Sequence, residues 1–390
     1  MTPPTHATDA HSGENDNHPF IEWLAAKLDV RLAALSIEQI AGDASPRRYF
    51  RVSIGLDDAI VGQREGEQRP RVVHEQATSR VAASEPTWIG VTSPASENND
   101  AFLYVQALLK RGGLVVPAQY ASDLDLGFFL MEDFGDLLLA SQLTPEAVDR
   151  HYPRALSELI KISGIPVASA MLPPFDPARI AEEMSVFPEW FLSAHLGLEG
   201  GAMAKTLWRN LLTLLTDVFC NQLQCVVHRD FHSRNIMCLP NDRLGLIDFQ
   251  DAVVGPITYD PVSLLKDCYI QWPRNDQLRW LEAHRQALLS AGFAAPDQRA
   301  FIRDFDLVGL QRHLRVLGVF ARLCLRDGKP DYLNHLPLVL AYTREALKLY
   351  EAEPAIAAFS MWFEDVAMPR ITEQDWYQPA RSVVTGQGRQ

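Results

Sequence analysis

Val226-Val227-His228-Arg229-Asp230-Phe231-His232-Ser233-Arg234-Asn235-Ile236-Met237, followed by Leu244-Gly245-Leu246-Ile247-Asp248-Phe249, is the stretch that decides how this chain reads. Short apolar runs suited to buried strands flank a polar loop. In that loop an Asp, four residues and an Asn follow one another, and a second Asp stands 13 residues beyond the Asn at the end of another apolar run. One Asp or Asn here would read as a turn residue, since both favour turns for backbone reasons. A turn does not require His228, Asp230, Asn235 and Asp248 all in register. A short loop between apolar strands brings the three oxygen-bearing side chains to one edge of a hairpin.

The spacing matches the phosphoryl-transfer pattern H-R-D-x-x-x-x-N plus D-F. That chemistry needs a carboxylate beside the attacking hydroxyl, to orient it and accept its proton late, and hard oxygen ligands for Mg²⁺ on the nucleotide phosphates. Asp230 suits the first task, and Asn235 and Asp248 the second. His228 is placed to support the loop by packing and hydrogen bonding. Rival chemistries fit less well: the chain has no GxSxG, HExxH or GxxxxGK[ST], and His228 and His232 share a loop with Asp230 rather than a helix face.

Outward from this block, Phe20, Ile21, Trp23, Leu24, Leu28 and Leu32 recur at helical spacing, and Tyr49–Ile54, Trp88–Val91, Val115–Tyr120 and Gly127–Met131 read as strands. A helix from about Ala101 to Arg111 ends at Gly112-Gly113, a good helix stop. Long helical periodicity follows Thr144, interrupted only around His228 to Asp251. The organisation expected is α+β and bilobal: a polar tail over 1–19, a small sheet lobe over 20–135 with an inserted loop at 62–86, a larger helical lobe over 136–378, and a second tail over 379–390.

Composition narrows the partners. The 390 residues suffice for two or three compact units, and 47% hydrophobic against 22% charged residues is ordinary globular composition. Lys+Arg 36 against Asp+Glu 49 leaves a net charge of −13, which argues against a nucleic-acid partner. No run approaches the length of a membrane span. Met1 to Pro19 lacks any Lys or Arg, the reverse of a secretory signal, and five cysteines without CxxC spacing read as buried thiols, so a cytoplasmic protein is expected. Nothing in the sequence speaks to oligomeric state.

The chain resembles the aminoglycoside phosphotransferase and choline kinase-like superfamily, and within it bacterial N-acetylmuramate/N-acetylglucosamine anomeric kinases. The resemblance rests on Gly42 to Val52, on Phe129-Leu130-Met131-Glu132-Asp133-Phe134-Gly135, and above all on His228 to Asn235 with Leu246 to Pro256 and Tyr259-Asp260-Pro261. It implies a protein-kinase-like fold, ATP and Mg²⁺ as cofactors, Asp230 as catalytic base, Asn235 and Asp248 as metal ligands, and a small amino sugar as acceptor. Asp43 to Arg48, with Ser45, Arg47 and Arg48, looks like the loop over the nucleotide phosphates; a solvated basic turn is the other reading. Glu132 and Asp133 sit where the family joins its lobes, either meeting adenine or serving only as hinge residues. The phosphate-contacting lysine of such folds is missing from Trp88 to Val91.

Substrate residues are drawn more loosely. Asp251, Asp267 and Trp272 supply polar groups and a ring of the kind a sugar site uses. Trp190 is either core or acceptor cleft. Asp260 before Pro261 reads as a helix cap. A kinase of an aminoglycoside or amino alcohol, and a kinase-like binding protein without catalysis, are the alternatives.

Overall fold

In the computed structural model, the described residues are 17–40, 46–55 and 86–378. Ser45, the inserted loop up to residue 85 and the tail beyond 378 lie outside them. The chain divides into two compact units: one runs to Leu103 and resumes at Pro117–Gly135, and the other comprises Tyr104–Val116 and continues from Asp136.

The first unit is a five-stranded antiparallel sheet built from β1 (Leu35–Ile40), β2 (Arg48–Ile54), β3 (Thr87–Thr92), β4 (Gln119–Asp123) and β5 (Phe128–Glu132), in the order β1-β2-β3-β5-β4. The helix His18–Leu28 covers one face. It starts within the segment expected as a tail, and it stops earlier than the periodicity suggests because Asp29 turns left-handed (φ 56°). Phe20 and Leu24 pack with Phe50, Val52 and Leu130, and the Phe20 ring lies 5.4 Å from Phe50 and 5.0 Å from Phe128. Gly90 is what allows this: a Cβ there would sit 2.9 Å from the tip of Phe20. Residues 115–118, expected as strand, are irregular, and pairing begins only at Gln119.

The second unit is mainly helical. Its two small antiparallel ladders are β6 (Gln224–Val227) with β9 (Val253–Pro256), and β7 (Ile236–Cys238) with β8 (Leu244–Leu246). The β7–β8 turn uses Asn241 and Asp242 at positive φ, where these residue types are tolerated. The long helix Gln298–Leu325 runs through the core, with all but its ends buried. A buried ion cluster ties it to its neighbours: Asp306 accepts from Lys266 Nζ (2.8 Å), Arg274 Nη2 (2.6 Å) and the Tyr350 hydroxyl (2.8 Å). Removing Asp306 would leave the buried Lys266 charge uncompensated, a loss that typically costs about 3–5 kcal/mol. The cysteines are free, and among the described residues no helix is long and apolar enough to cross a membrane.

Close approach of the long helix to the start of the π-helix Phe187–His195 is made at Gly318. An added Cβ would overlap the Val186 carbonyl oxygen and lie 2.5 Å from its carbon and 2.7 Å from Phe187 N, backbone atoms that cannot rotate away. At Gly309 the nearest atom is the flexible Lys266 Cδ at 3.4 Å. Gly318→Ala is therefore expected to destabilise by about 3 kcal/mol, the upper range of overpacking. Gly309→Ala should stay within about 1 kcal/mol of the parent, helped by helix propensity. Urea unfolding of the two variants checks the contrast.

Candidate active site

The loop 228–235 links β6 to β7, and two buried carboxylates from the segment after β9 hold it. Asp260 accepts the backbone amides of His228 (2.7 Å) and Arg229 (2.9 Å). Asp267 accepts the Ser233 amide (3.0 Å) and hydroxyl (2.5 Å), and its other oxygen takes the Tyr269 amide (3.0 Å). Arg229 pays for this course with a left-handed backbone (φ 76°), a conformation costing about 1–3 kcal/mol unless its surroundings enforce it. Asp260 is thus structural as expected, but it clamps the loop rather than capping a helix.

Asp230, Asn235 and Asp248 are neighbours at the open edge. Asn235 Nδ2 donates to the Asp230 carbonyl and to Asp248 Oδ2, both at 3.1 Å. The Ile247 amide donates to the Asn235 carbonyl at 3.1 Å, which brings the end of β8 beside the loop, and Asp248 itself is left-handed (φ 60°). Gln250 Nε2 donates to Asp248 Oδ1 at 2.8 Å. Desolvation and the nearby Asp230 charge push the Asp248 carboxyl above the ordinary range, a repulsion that a bound cation would relieve. Asn235 keeps its Oδ1 without a protein partner among the described residues. No group of three or more His, Cys, Asp or Glu among the described residues forms a metal cage. Mg²⁺ normally relies on one or two protein oxygens together with phosphates and water, so Asp248 and Asn235 fit it as partial ligands.

Asp230 is partly exposed, and Arg312 Nη2 lies 3.4 Å from its Oδ1. Burial alone would raise this carboxyl; Arg312, Arg229, His232 and Arg315 outweigh it and hold the group well below the ordinary carboxylate range. Arg312 also donates to the Arg229 carbonyl (2.9 Å), and Arg229 grips both oxygens of Glu183 at 2.9 Å. Arg179 and Arg315 reach the same Glu183 at 3.1 Å. Glu183, Arg312 and Arg315 escape sequence reading: they stand singly on helices more than forty residues from the loop, with no motif around them.

The other expected residues divide. His228 is fully buried, edge-on to Phe231 at 5.9 Å, and burial pushes its imidazole down to about 4. It is neutral, and neither ring nitrogen has a hydrogen-bond partner among the described residues, so it supports the loop by packing and not by the hydrogen bonding expected of it. Asp267 is committed to Ser233 and is not a substrate ligand. Trp272 is no sugar platform: it is 6% exposed, donates to the Tyr152 hydroxyl at 2.8 Å and packs edge-on to Trp280. Trp190 is half-buried, and no ring contact joins it to the loop among the described residues. Asp251 is exposed, its carbonyl 3.4 Å from Arg229 Nη1.

In the first unit, Arg47 is no free phosphate ligand. Its buried guanidinium meets Ser93 Oγ (3.2 Å), Glu97 (3.4 Å) and the Phe102 ring. Arg48 is exposed, with Nε 3.3 Å from Thr92 Oγ1. The Glu132 carboxylate accepts the Ala118 amide at 3.1 Å, and Asp133 is ion-paired with Arg51 at 2.7 Å.

Comparison with known proteins shows the family. The family model described as "phosphotransferase enzyme family" matches residues 36–302. The chain belongs to that family. This phosphotransferase is 38% identical over 256 residues to the N-acetylmuramate/N-acetylglucosamine kinase of Pseudomonas putida, covering 65% of this chain and 75% of that protein. It is 28% identical over 354 residues to the enzyme of the same name in Caulobacter vibrioides, covering 84% and 91%. Its fold is similar to that of a choline kinase from Cryptosporidium parvum, with a TM-score of 0.58, 10% identity, and 90% of this chain and 100% of that one covered.

Two outcomes follow for the phosphotransferase. Asp230→Asn should preserve the fold and lower turnover by roughly 100-fold or more, the scale of a lost proton acceptor; steady-state kinetics on a variant with unchanged circular dichroism measures it. Buried neutral His228, His284 and His313, the latter two pushed down to about 4 and about 3 by desolvation, remain unprotonated in the fold while an unfolded chain takes up protons below about pH 6.5. The unfolded state then binds more protons, so stability falls as pH drops from about 6.5 toward 4, by on the order of 1.4 kcal/mol per pH unit for each histidine. Urea midpoints across that window test the slope, which His284→Leu should make shallower.

Proposed function

We propose that this phosphotransferase transfers the γ-phosphate of ATP, with Mg²⁺, to the anomeric hydroxyl of N-acetylmuramate and N-acetylglucosamine, acting in the cytoplasm on sugars released from cell wall. The observation that carries the reading is the convergence of Asp230, Asn235 and Asp248 on one loop edge in a chain whose relatives bear that enzyme name.

Asp230 would orient the acceptor hydroxyl and accept its proton late. A carboxylate held ionised by Arg312 is a weak base, and it is matched to an anomeric hydroxyl, which is more acidic than an ordinary alcohol. Asp248 and Asn235 Oδ1 would hold Mg²⁺, which when bound neutralises charge on the phosphate oxygens. Arg312 fixes the Asp230 carboxylate, and Asp260 and Asp267 keep the loop in register. Asp251 is the remaining acidic candidate for a sugar hydroxyl.

ATP-dependent phosphorylation of both sugars, with the product position read by phosphorus NMR, tests the reading. Exclusive turnover of a cationic amino alcohol or an aminoglycoside would overturn it. Asp248→Ala should abolish Mg²⁺-dependent ATP binding in a calorimetric titration, whereas Asn235→Ala should weaken it less, since a neutral amide contributes less field than a carboxylate.

A further inference from the structure

Arg234 is the arginine of the loop that the network above does not use. Arg229 and Arg315 are paired to Glu183, and Arg312 to Asp230. Arg234 has neither an ion pair nor a hydrogen bond among the described residues. A shortage of acid does not explain this in a chain of net charge −13. The side chain is also not loose: it is half-buried, and its guanidinium lies on the Tyr269 ring, 3.6 Å from the centroid. Stacking of that kind fixes the plane of a guanidinium while leaving its N–H edge available for a bidentate anion.

The location is next to the chemistry. Arg234 immediately precedes Asn235 in the turn Ser233–Asn235. His232 Nε2 lies 3.4 Å from Asn235 Nδ2, and the His232 ring stands edge-on to Tyr269 at 5.5 Å. Asn235, His232, Tyr269 and Arg234 therefore form a continuous layer of side chains leading away from the edge where Asp230, Asn235 and Asp248 are neighbours. The buried His232 Nδ1 in that layer has no hydrogen-bond partner among the described residues. The Tyr269 amide is itself anchored by Asp267, the same carboxylate that clamps Ser233, so ring and loop are held by one group.

We propose that Arg234, laid on Tyr269, is an anion subsite that reads the carboxylate of the acceptor sugar. This rests on the amino-sugar reading above and deepens it. N-acetylmuramate differs from N-acetylglucosamine by a lactyl ether whose carboxylate is the only charge on either molecule. A guanidinium with no carboxylate partner of its own distinguishes the two through that group alone, and the neutral sugar is bound without it.

The test compares kcat/KM for N-acetylmuramate and N-acetylglucosamine in the parent and in Arg234→Gln, with KM for ATP measured alongside. Loss of a charge-assisted bidentate contact is expected to lower the ratio of the two specificity constants, muramate over glucosamine, by roughly tenfold to a hundredfold. An equal loss on both sugars overturns the proposal in favour of a structural stack, and a raised KM for ATP with an unchanged ratio overturns it in favour of a phosphate contact. Should Arg234→Gln fail to fold by circular dichroism, Arg234→Lys decides: it keeps the charge but not the fork, and its ratio should fall at least about threefold. An unchanged ratio in that variant overturns the proposal. A parent that phosphorylates neither sugar fails in a different and recognisable way, because the amino-sugar reading itself then falls.

Discussion

The Asp260 carboxylate, sealed beneath the loop and shared between the amides of His228 and Arg229, is the constraint on which the site depends. A loop that must present Asp230 outward turns its own amides inward, where water cannot satisfy them, and a buried N–H without a partner costs on the order of 1–3 kcal/mol. Asp260 answers that need at one end and Asp267 at the other. With both ends anchored, the left-handed backbone at Arg229 is tolerated, and the Arg229 side chain is directed to Glu183. The helices bearing Glu183, Arg312 and Asp260 are thereby tied to one short loop, so their packing and the position of Asp230 are a single problem.

Charge is distributed around this anchor with opposite effects on two carboxylates. Asp230 has guanidinium groups nearby that hold its carboxyl well below the ordinary range, while desolvation and the Asp230 charge raise that of Asp248. The first arrangement keeps the proposed proton acceptor in one orientation and makes it a weak base. The second concentrates unrelieved negative charge at the place where Asn235 also offers an oxygen, which is the electrostatic requirement for a divalent cation carried on phosphates. Neither property belongs to an aspartate as such; each follows from which neighbours stand within a few ångströms.

Misplaced substrate residues show what a linear reading lacks. Trp272 and Asp267 are the residue types that a carbohydrate site uses, yet one ring is closed in by Tyr152 and Trp280 and one carboxylate is consumed by Ser233. Arg47 carries the right charge in the expected loop, but Ser93, Glu97 and Phe102 take its guanidinium. In each case the residue type was read correctly and its direction was not, because direction is set by contacts to segments tens of residues away.

That Asp230, Asn235 and Asp248 stand together was legible from sequence alone, because the spacing between the ends of consecutive short strands survives as a local pattern. The sheet-then-helices organisation was legible for a similar reason, since alternation and helical periodicity are local consequences of burying one face. Only the tertiary structure decided that Asp260 and Asp267 serve the loop, that Glu183, Arg312 and Arg315 surround it, and that Arg234, without an ion pair among the described residues, lies on Tyr269. These are encounters between segments as far apart as Glu183 and Arg315, 132 residues along the chain. Ion pairs and hydrogen bonds at such separations depend on how helices cross in space, and no period or spacing along the chain records that.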